Sequence, residues 1–176
     1  MNIFLTGFMG SGKSTIGKKL AANLGYQFID MDRMIEQEEN MPIPQLFKIK
    51  GEPYFRNLES AWLSKYSDQQ KVISTGGGTP CFQNNLHLMK AKGITVYLDV
   101  SVPVLAHRLY HAHEARPLIE NYVNSLENLR NYVATKLAER EVYYKKCDLI
   151  FKADDFSASR LNELAELIKQ FKTKMN

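Results

Sequence analysis

The sequence predicts an α/β protein in which helices cover both faces of a central parallel sheet of about five strands, a three-layer α/β/α arrangement. Two observations support this prediction. Short apolar segments alternate along the chain with longer segments whose apolar residues recur at helical spacing. A glycine-rich loop also follows the first apolar segment directly. Because parallel sheets bind ligands at the carboxyl ends of their strands, we expect the functional site at that edge.

Residues with strong conformational preferences set the expected helix boundaries. The predicted strands lie at residues 2–6, 26–29, 71–74, 94–98 and 149–151. The helix after the glycine-rich loop should end at Gly25, which suits a left-handed C-terminal cap. After the second strand, Pro44 opens a short helix that stops at Gly51, and Pro53 opens the next one. Ser125 should cap a long helix in the second half of the chain.

The 176 residues and their 44% hydrophobic content are enough for one sizeable core, so we expect a single domain over 1–176. A segment at about 110–124 is polar, contains histidines and is interrupted by Pro117, which predicts a mobile lid. The 23 basic and 19 acidic residues are spread along the chain. The resulting net charge of +4 fits an anionic small substrate, and we expect no nucleic-acid partner.

Cys81 and Cys147 lie far apart and match no metal-binding spacing, so we expect reduced thiols. No charged and then apolar leader precedes the first strand, and no apolar segment approaches the roughly 18 residues of a membrane span. These features predict a cytoplasmic protein without a membrane partner. We also expect a monomer.

Residues 7–14, with the sequence GFMGSGKS, match the phosphate-binding pattern GxxxxGK[ST]. In such a P-loop, backbone N–H groups point inward and the following helix presents its positive end to the phosphates. Lys13 supplies a cation and Ser14 a hydroxyl ligand for Mg²⁺. The sequence therefore predicts that a fold of the P-loop type binds a nucleoside triphosphate here. The expected nucleotide contacts are Gly10, Ser11, Gly12, Lys13, Ser14 and Thr15.

A dinucleotide-binding turn is the alternative interpretation of this loop. Gly10 and Gly12 could open the pattern GxGxxG, and Asp30 lies at about the distance expected of a ribose-binding carboxylate. However, Thr15 replaces the third glycine, and Lys13 has no purpose in such a turn. These differences favour a nucleoside triphosphate.

Asp30 and Asp32 follow the second predicted strand. If that segment is extended, their side chains share a face and both approach the phosphates, one holding magnesium through water and the other accepting a hydroxyl proton. The alternative is that either residue only caps the next helix. Spacing alone does not decide between these interpretations.

The glycines at 76–78 follow the third predicted strand and indicate a loop that a substrate approaches closely, although a simple turn is the alternative. Arg56 and Glu59 would form a solvated i, i+3 ion pair in an ordinary helix, and Arg140 lies in a comparable charge cluster. Arg116, in the polar segment, is a candidate to close over phosphates. Three histidines in or just before this segment match no regular spacing of metal ligands, and we assign them no role: His107, His111 and His113.

Taken together, these motifs resemble the shikimate kinase family over nearly the whole chain. The matching segments are FLTGFMGSGKSTIGKKLA, FIDMD, GEPYFRNLE, VISTGGGT, RPL and AEREVYYKKCD. The resemblance implies transfer of the γ-phosphoryl group of ATP to the 3-hydroxyl of shikimate, in chorismate and aromatic amino acid biosynthesis. It also implies Mg²⁺ as the cofactor.

The resemblance further implies a role for each site residue. The catalytic residues would be Lys13, Asp32 and Arg116, of which Arg116 lies on the lid. Arg108 and Arg116 would also contact ATP. The metal would be held by Ser14 and, through water, by Asp30. Shikimate would contact Asp32, Arg56, Gly77, Gly78 and Arg140. The rival hypotheses are another P-loop kinase, for a sugar acid or a nucleoside monophosphate, and a non-catalytic nucleotide-binding module.

Overall fold

The computed structural model describes residues 1–112, 119 and 122–175. Its strands are β1 (Asn2–Thr6), β2 (Gln27–Asp30), β3 (Lys71–Ser74), β4 (Gly93–Asp99) and β5 (Leu149–Lys152). Its helices are α1 (Lys13–Leu24), α2 (Met31–Glu39), α3 (Ile43–Lys65), α4 (Asn85–Lys92), α5 (Val102–Tyr110), α6 (Leu126–Tyr144) and α7 (Ala158–Met175). A short 3₁₀ helix spans Thr79–Cys81.

The strands form one parallel sheet in the order β2-β3-β1-β4-β5. The sheet order therefore reverses at β1, and the loop that follows β1 opens at a topological switch point, where parallel sheets bind ligands. In the sheet register, Ser74 lies opposite both Leu5 and Asp30. The ends of three neighbouring strands thus meet at one edge, and the predicted fold class is confirmed.

Alternate residues of β1 pack into different parts of the core, which places helices on both faces of the sheet. Ile3 and Leu5 belong to a buried cluster with residues of α1, α5, α6 and α7. Phe4, between them, packs with residues of α2, α3 and α4. This arrangement is why the three central residues of the strand are all apolar.

The predicted helix boundaries follow the backbone preferences of a few residues. Gly25 caps α1 in the left-handed conformation with φ 68°, as predicted. At Gly51, φ is 80° and ψ is 165°, so α3 consists of two helical segments that meet at a kink, with Pro53 at the start of the second. Ser125 caps α6 and accepts a hydrogen bond from the backbone N–H of Asn128 at 3.4 Å.

Both cysteines are free thiols; Cys147 is buried and Cys81 is half-buried. Across the described ranges, no helix combines the length and apolar character that crossing a membrane requires. The predicted lid at 110–124 falls largely on residues 113–118 and 120–121, which lie outside the described residues.

Candidate active site

A cleft of about 900 Å³ opens at the carboxyl ends of the strands, beside the loop after β1. Its walls come from that loop, from α1, α2 and α3, and from the glycines after β3. The cleft brings together every candidate site residue that the structure describes: Gly10, Ser11, Gly12, Lys13, Ser14, Thr15, Asp30, Asp32, Arg56, Gly77, Gly78, Arg108 and Arg140. Arg116 lies outside the described residues.

The P-loop adopts a tight conformation that glycine makes possible. Gly10 and Gly12 have φ values of 80° and 89°, and Gly12 is the N-cap of α1. The Lys13 ammonium curls back over the loop and donates to the carbonyl oxygens of Gly7 at 2.9 Å and Phe8 at 3.0 Å. The loop, the start of α1 and the lysine therefore place positive potential at one end of the cleft.

Ser14 and Asp30 form a pair of hard oxygen ligands beside the P-loop. The Ser14 hydroxyl donates to Oδ2 of Asp30 at 2.8 Å, and its oxygen lies 3.4 Å from Oγ of Ser74. Asp30 occupies the N-cap position of α2, but its side chain makes no capping hydrogen bond to that helix. The interpretation of Asp30 as only a helix cap is therefore wrong. One hydroxyl and one carboxylate fit Mg²⁺, which keeps several waters and phosphate oxygens as its other ligands.

Asp32 enters the cleft from a helix, so the expected extended segment is wrong. The strand β2 ends at Asp30 and α2 begins one residue later, which places Asp32 in the first helical turn. Its Oδ1 is buried and has no hydrogen-bond partner among the described residues. Burial, with the nearby carboxylates of Glu59 and Asp30, raises the pKa of Asp32 from 3.8 to about 7, although Lys13 and Arg56 act in the opposite direction. The carboxyl group is suited to exchange a proton near neutral pH.

Arg56 is held by two carboxylates in a buried site, so the solvated ion pair is also wrong. Its Nη1 donates to Oε2 of Glu59 at 2.7 Å, while Nε and Nη2 donate to Oε1 of Glu52 at 3.0 and 2.7 Å. Arg56 is 5% exposed and Glu59 is fully buried. Glu59 also accepts a hydrogen bond from the hydroxyl of Thr79. Burial raises the pKa of Glu59, and the Arg56 charge and the Thr79 hydrogen bond oppose that rise.

The glycines after β3 leave room for two arginines. A Cβ at position 78 would lie 2.5 Å from Nη2 of Arg56, and one at position 77 would lie 3.5 Å from Nη1 of Arg140. On its other side, the Arg56 guanidinium carbon lies 4.4 Å from the centroid of the Phe82 ring. Two guanidinium groups therefore converge on neighbouring glycines, an arrangement suited to binding a carboxylate.

Arg108 lies at the other end of the cleft. Its Nη1 donates to the carbonyl oxygen of Gly10 at 3.3 Å, and its Nη2 donates to that of Asp154 at 2.7 Å. It joins the P-loop to the loop after β5. Within the described ranges, no three His, Cys, Asp or Glu side chains form a metal-binding group. The rings of His107 and His111 lie 4.5 Å apart, and His113 lies outside the described residues.

Sequence reasoning missed four residues that support this site: Glu52, Thr79, Phe82 and Tyr144. Two of them carried a usable signal, because Glu52 and Tyr144 lie one helical turn from Arg56 and Arg140 at i, i+4 spacing. Thr79 and Phe82 follow the glycines, where no periodicity indicates which side chains turn inward.

The family model for shikimate kinase matches residues 9–174. The shikimate kinase of Phocaeicola vulgatus is 39% identical over 175 residues, which cover 99% of this chain and 98% of that protein. The crystal structure of shikimate kinase from Bacteroides thetaiotaomicron has a TM-score of 0.86 and 35% identity, covering 96% of this chain and 98% of that one. Shikimate kinase from Acinetobacter baumannii, solved in complex with shikimate, has a TM-score of 0.82 and 32% identity, covering 99% and 94%.

Proposed function

The chain belongs to the shikimate kinase family and is an ATP-dependent kinase, and we propose that its cleft transfers the γ-phosphoryl group of ATP to the 3-hydroxyl of shikimate. The products are shikimate 3-phosphate and ADP, in the pathway to chorismate and the aromatic amino acids. One observation carries the assignment to this cleft. Two arginines, Arg56 and Arg140, meet neighbouring glycines in the cleft that also holds the P-loop.

The P-loop end of the cleft is the ATP site in this proposal. Its backbone N–H groups and Lys13 bind the phosphates, and Arg108 lies on the adenine side, where it joins the P-loop to the loop after β5. Ser14 would hold Mg²⁺ directly and Asp30 would hold it through water, as their hydroxyl and carboxylate oxygens permit. When bound, Mg²⁺ neutralises charge that develops on the β- and γ-phosphates.

The other end is the shikimate site. Arg56 and Arg140 bind the substrate carboxylate through charge-assisted hydrogen bonds, and Gly77 and Gly78 let the ring approach the backbone. Asp32 lines the same cleft as Lys13 and Arg56, which supports a position of its carboxyl group between the two substrates. As the 3-hydroxyl oxygen bonds to the γ-phosphorus and the bond to the β-bridging oxygen breaks, Asp32 takes the hydroxyl proton. Arg116 stays a predicted lid residue near the transferred phosphate.

The test is an ADP-release assay with shikimate, gluconate or AMP as the acceptor, run on the wild type and on Asp32→Asn. Shikimate alone should release ADP, and Asp32→Asn should lower kcat by roughly 10²–10⁴-fold because it keeps the shape but loses the proton acceptor. Turnover of gluconate or AMP in place of shikimate would support another P-loop kinase. Absence of turnover with all three would support a non-catalytic nucleotide-binding module.

We further propose a single domain over 1–176 that acts as a cytoplasmic monomer, without nucleic-acid or membrane partners. The free thiols and the evenly spread charges support this proposal. Light scattering coupled to size exclusion should give a mass near the 20.2 kDa of one chain. A mass of twice that value would contradict the monomer.

A further inference from the structure

Tyr144, near the end of α6, is fully buried beneath the glycines that follow β3. Its hydroxyl donates a hydrogen bond to the carbonyl oxygen of Gly77 at 2.5 Å, across a sequence separation of 67 residues. This short hydrogen bond to a half-buried carbonyl restrains the peptide that follows Gly77. The hydroxyl thus acts on the loop that forms the floor of the shikimate site.

The same hydroxyl faces Arg140, which lies one turn earlier on the same face of α6. Burial raises the pKa of Tyr144, whereas Arg140 opposes the rise through its charge and as a hydrogen-bond partner of the Tyr144 side chain. A guanidinium only donates and a carbonyl only accepts, while a hydroxyl does both. Because the Tyr144 hydroxyl gives its proton to Gly77, the Arg140 guanidinium can interact only with the lone pairs of the hydroxyl oxygen.

We propose that Tyr144 is a positioning residue for shikimate, which sets Arg140 and Gly77 in a fixed relation to each other. The inference rests on the proposed function, since that function assigns both residues to the substrate. Arg140 Nη1 lies only 3.5 Å from the place where a Gly77 side chain would begin, so a small displacement of either group changes the shape of the carboxylate site. Tyr144 prevents that displacement without touching the substrate.

The chain provides a matched control in Tyr97. The rings of Tyr97 and Tyr144 stack with centroids 5.0 Å apart, and both residues are buried. The Tyr97 hydroxyl faces Oδ1 of Asp99 at 3.4 Å instead of the glycine loop. Tyr97→Phe and Tyr144→Phe therefore remove the same atom from the same aromatic stack, and only the second removes the link to the substrate site.

The experiment measures KM for shikimate at saturating ATP, KM for ATP at saturating shikimate, and the Kd for shikimate by calorimetry. Tyr144→Phe should raise KM and Kd for shikimate roughly tenfold, because it removes the hydrogen bond that holds the Gly77 peptide in the substrate site. KM for ATP should stay within about twofold of the wild-type value. Tyr97→Phe should leave all three constants unchanged. If Tyr144→Phe and Tyr97→Phe have the same KM and Kd for shikimate, the inference is overturned and Tyr144 is a packing residue only.

A second comparison shows whether Tyr144 acts through Arg140. In an Arg140→Ala background, Tyr144→Phe should raise KM for shikimate by a smaller factor than it does in the wild type, because one of the two groups that Tyr144 positions is gone. Full additivity of the two substitutions would contradict positioning through Arg140.

If Tyr144→Phe does not fold, 4-aminophenylalanine at position 144 serves instead, since it keeps a donor to Gly77 but accepts poorly from a guanidinium. It should raise KM for shikimate several-fold, and an unchanged KM would again overturn the inference.

These outcomes are separate from the test of the proposed function. A wild-type protein that does not phosphorylate shikimate contradicts the function itself. A wild-type protein that does, together with an unaffected Tyr144→Phe variant, contradicts only the role of Tyr144.

Discussion

Arg56 and Glu59 form an ion pair of 2.7 Å whose side chains are 6% and 0% exposed. A buried pair of this kind is costly to break, because the partner that is left behind keeps its charge in a medium that solvates it poorly. The pair therefore fixes the position of the arginine that we assign to shikimate binding. It also makes the stability of the fold depend on a residue of the proposed shikimate site.

Glu59→Gln should lower the free energy of unfolding by about 3 kcal/mol, since it leaves the Arg56 charge without its buried partner. The matched control is Glu52→Gln, which removes a carboxylate from the same guanidinium at the same 2.7 Å distance but at a side chain that is 43% exposed. Its cost should stay below about 1 kcal/mol. Urea denaturation measures both values. If Glu59→Gln and Glu52→Gln lower the free energy of unfolding equally, burial does not strengthen the ion pair between Arg56 and Glu59.

Arg56→Lys should raise KM for shikimate by roughly 10- to 100-fold, because lysine keeps the charge but cannot bind a carboxylate through two parallel hydrogen bonds. This substitution tests the role better than Arg56→Ala, which leaves Glu59 charged and buried without its partner. KM for ATP should hardly change. Arg33→Lys, a change of the same kind at another arginine of the cleft, is the control. An unchanged KM for shikimate in Arg56→Lys would show that Arg56 does not bind the substrate carboxylate.

The stability of the ligand-free protein should depend on the protonation of Asp32. The pKa of the Asp32 carboxyl rises from 3.8 to about 7 when the chain folds, so protonation of Asp32 stabilises the folded state relative to the unfolded chain. This contribution is complete below about pH 4 and is lost as the pH rises through about 7. Asp32→Asn does not titrate. Its Tm relative to wild type should therefore increase by roughly 6–13 °C between pH 4.5 and pH 8, measured in EDTA. A difference in Tm that does not vary with pH would contradict the raised pKa.

Lys13→Ala should lower turnover by at least about 10³-fold while the fold stays intact, because the lysine stabilises charge that develops on the phosphates. The expected change in Tm is small, since the Lys13 ammonium contacts carbonyl oxygens of the loop. Lys19→Ala removes the same charge from another position in the cleft wall and should keep turnover near the wild-type rate. Near-normal turnover by folded Lys13→Ala would exclude Lys13 from the chemistry.

Local sequence was sufficient for the features that depend on backbone preference and periodicity. The P-loop pattern, the left-handed cap at Gly25 and the kink at Gly51 each follow from what glycine and its neighbours permit. These properties are decided within a few residues of one another.

The features that sequence reasoning missed depend on contacts between distant segments. Whether Asp32 is extended or helical depends on where β2 stops, and a DMD sequence permits either. Glu59 is fully buried, and its hydrogen-bond partner Thr79 lies 20 residues away in the chain. Tyr144 reaches Gly77 only because α6 packs beneath the glycine loop. The i, i+4 spacing places Tyr144 on the same face of α6 as Arg140, but no spacing within one element identifies Gly77 as its partner.

The hydrogen bonds of Lys13 to the carbonyl oxygens of Gly7 and Phe8 affect how the protein selects among anions. An anion that binds to the Lys13 ammonium replaces the two carbonyl oxygens as its hydrogen-bond acceptor. The binding free energy gained is therefore the difference between the contacts with the anion and those with the carbonyl oxygens. A multiply charged phosphate chain gains far more from this exchange than chloride or acetate does. The loop thereby disfavours the abundant monovalent anions of its surroundings and keeps the cation in place for a polyphosphate.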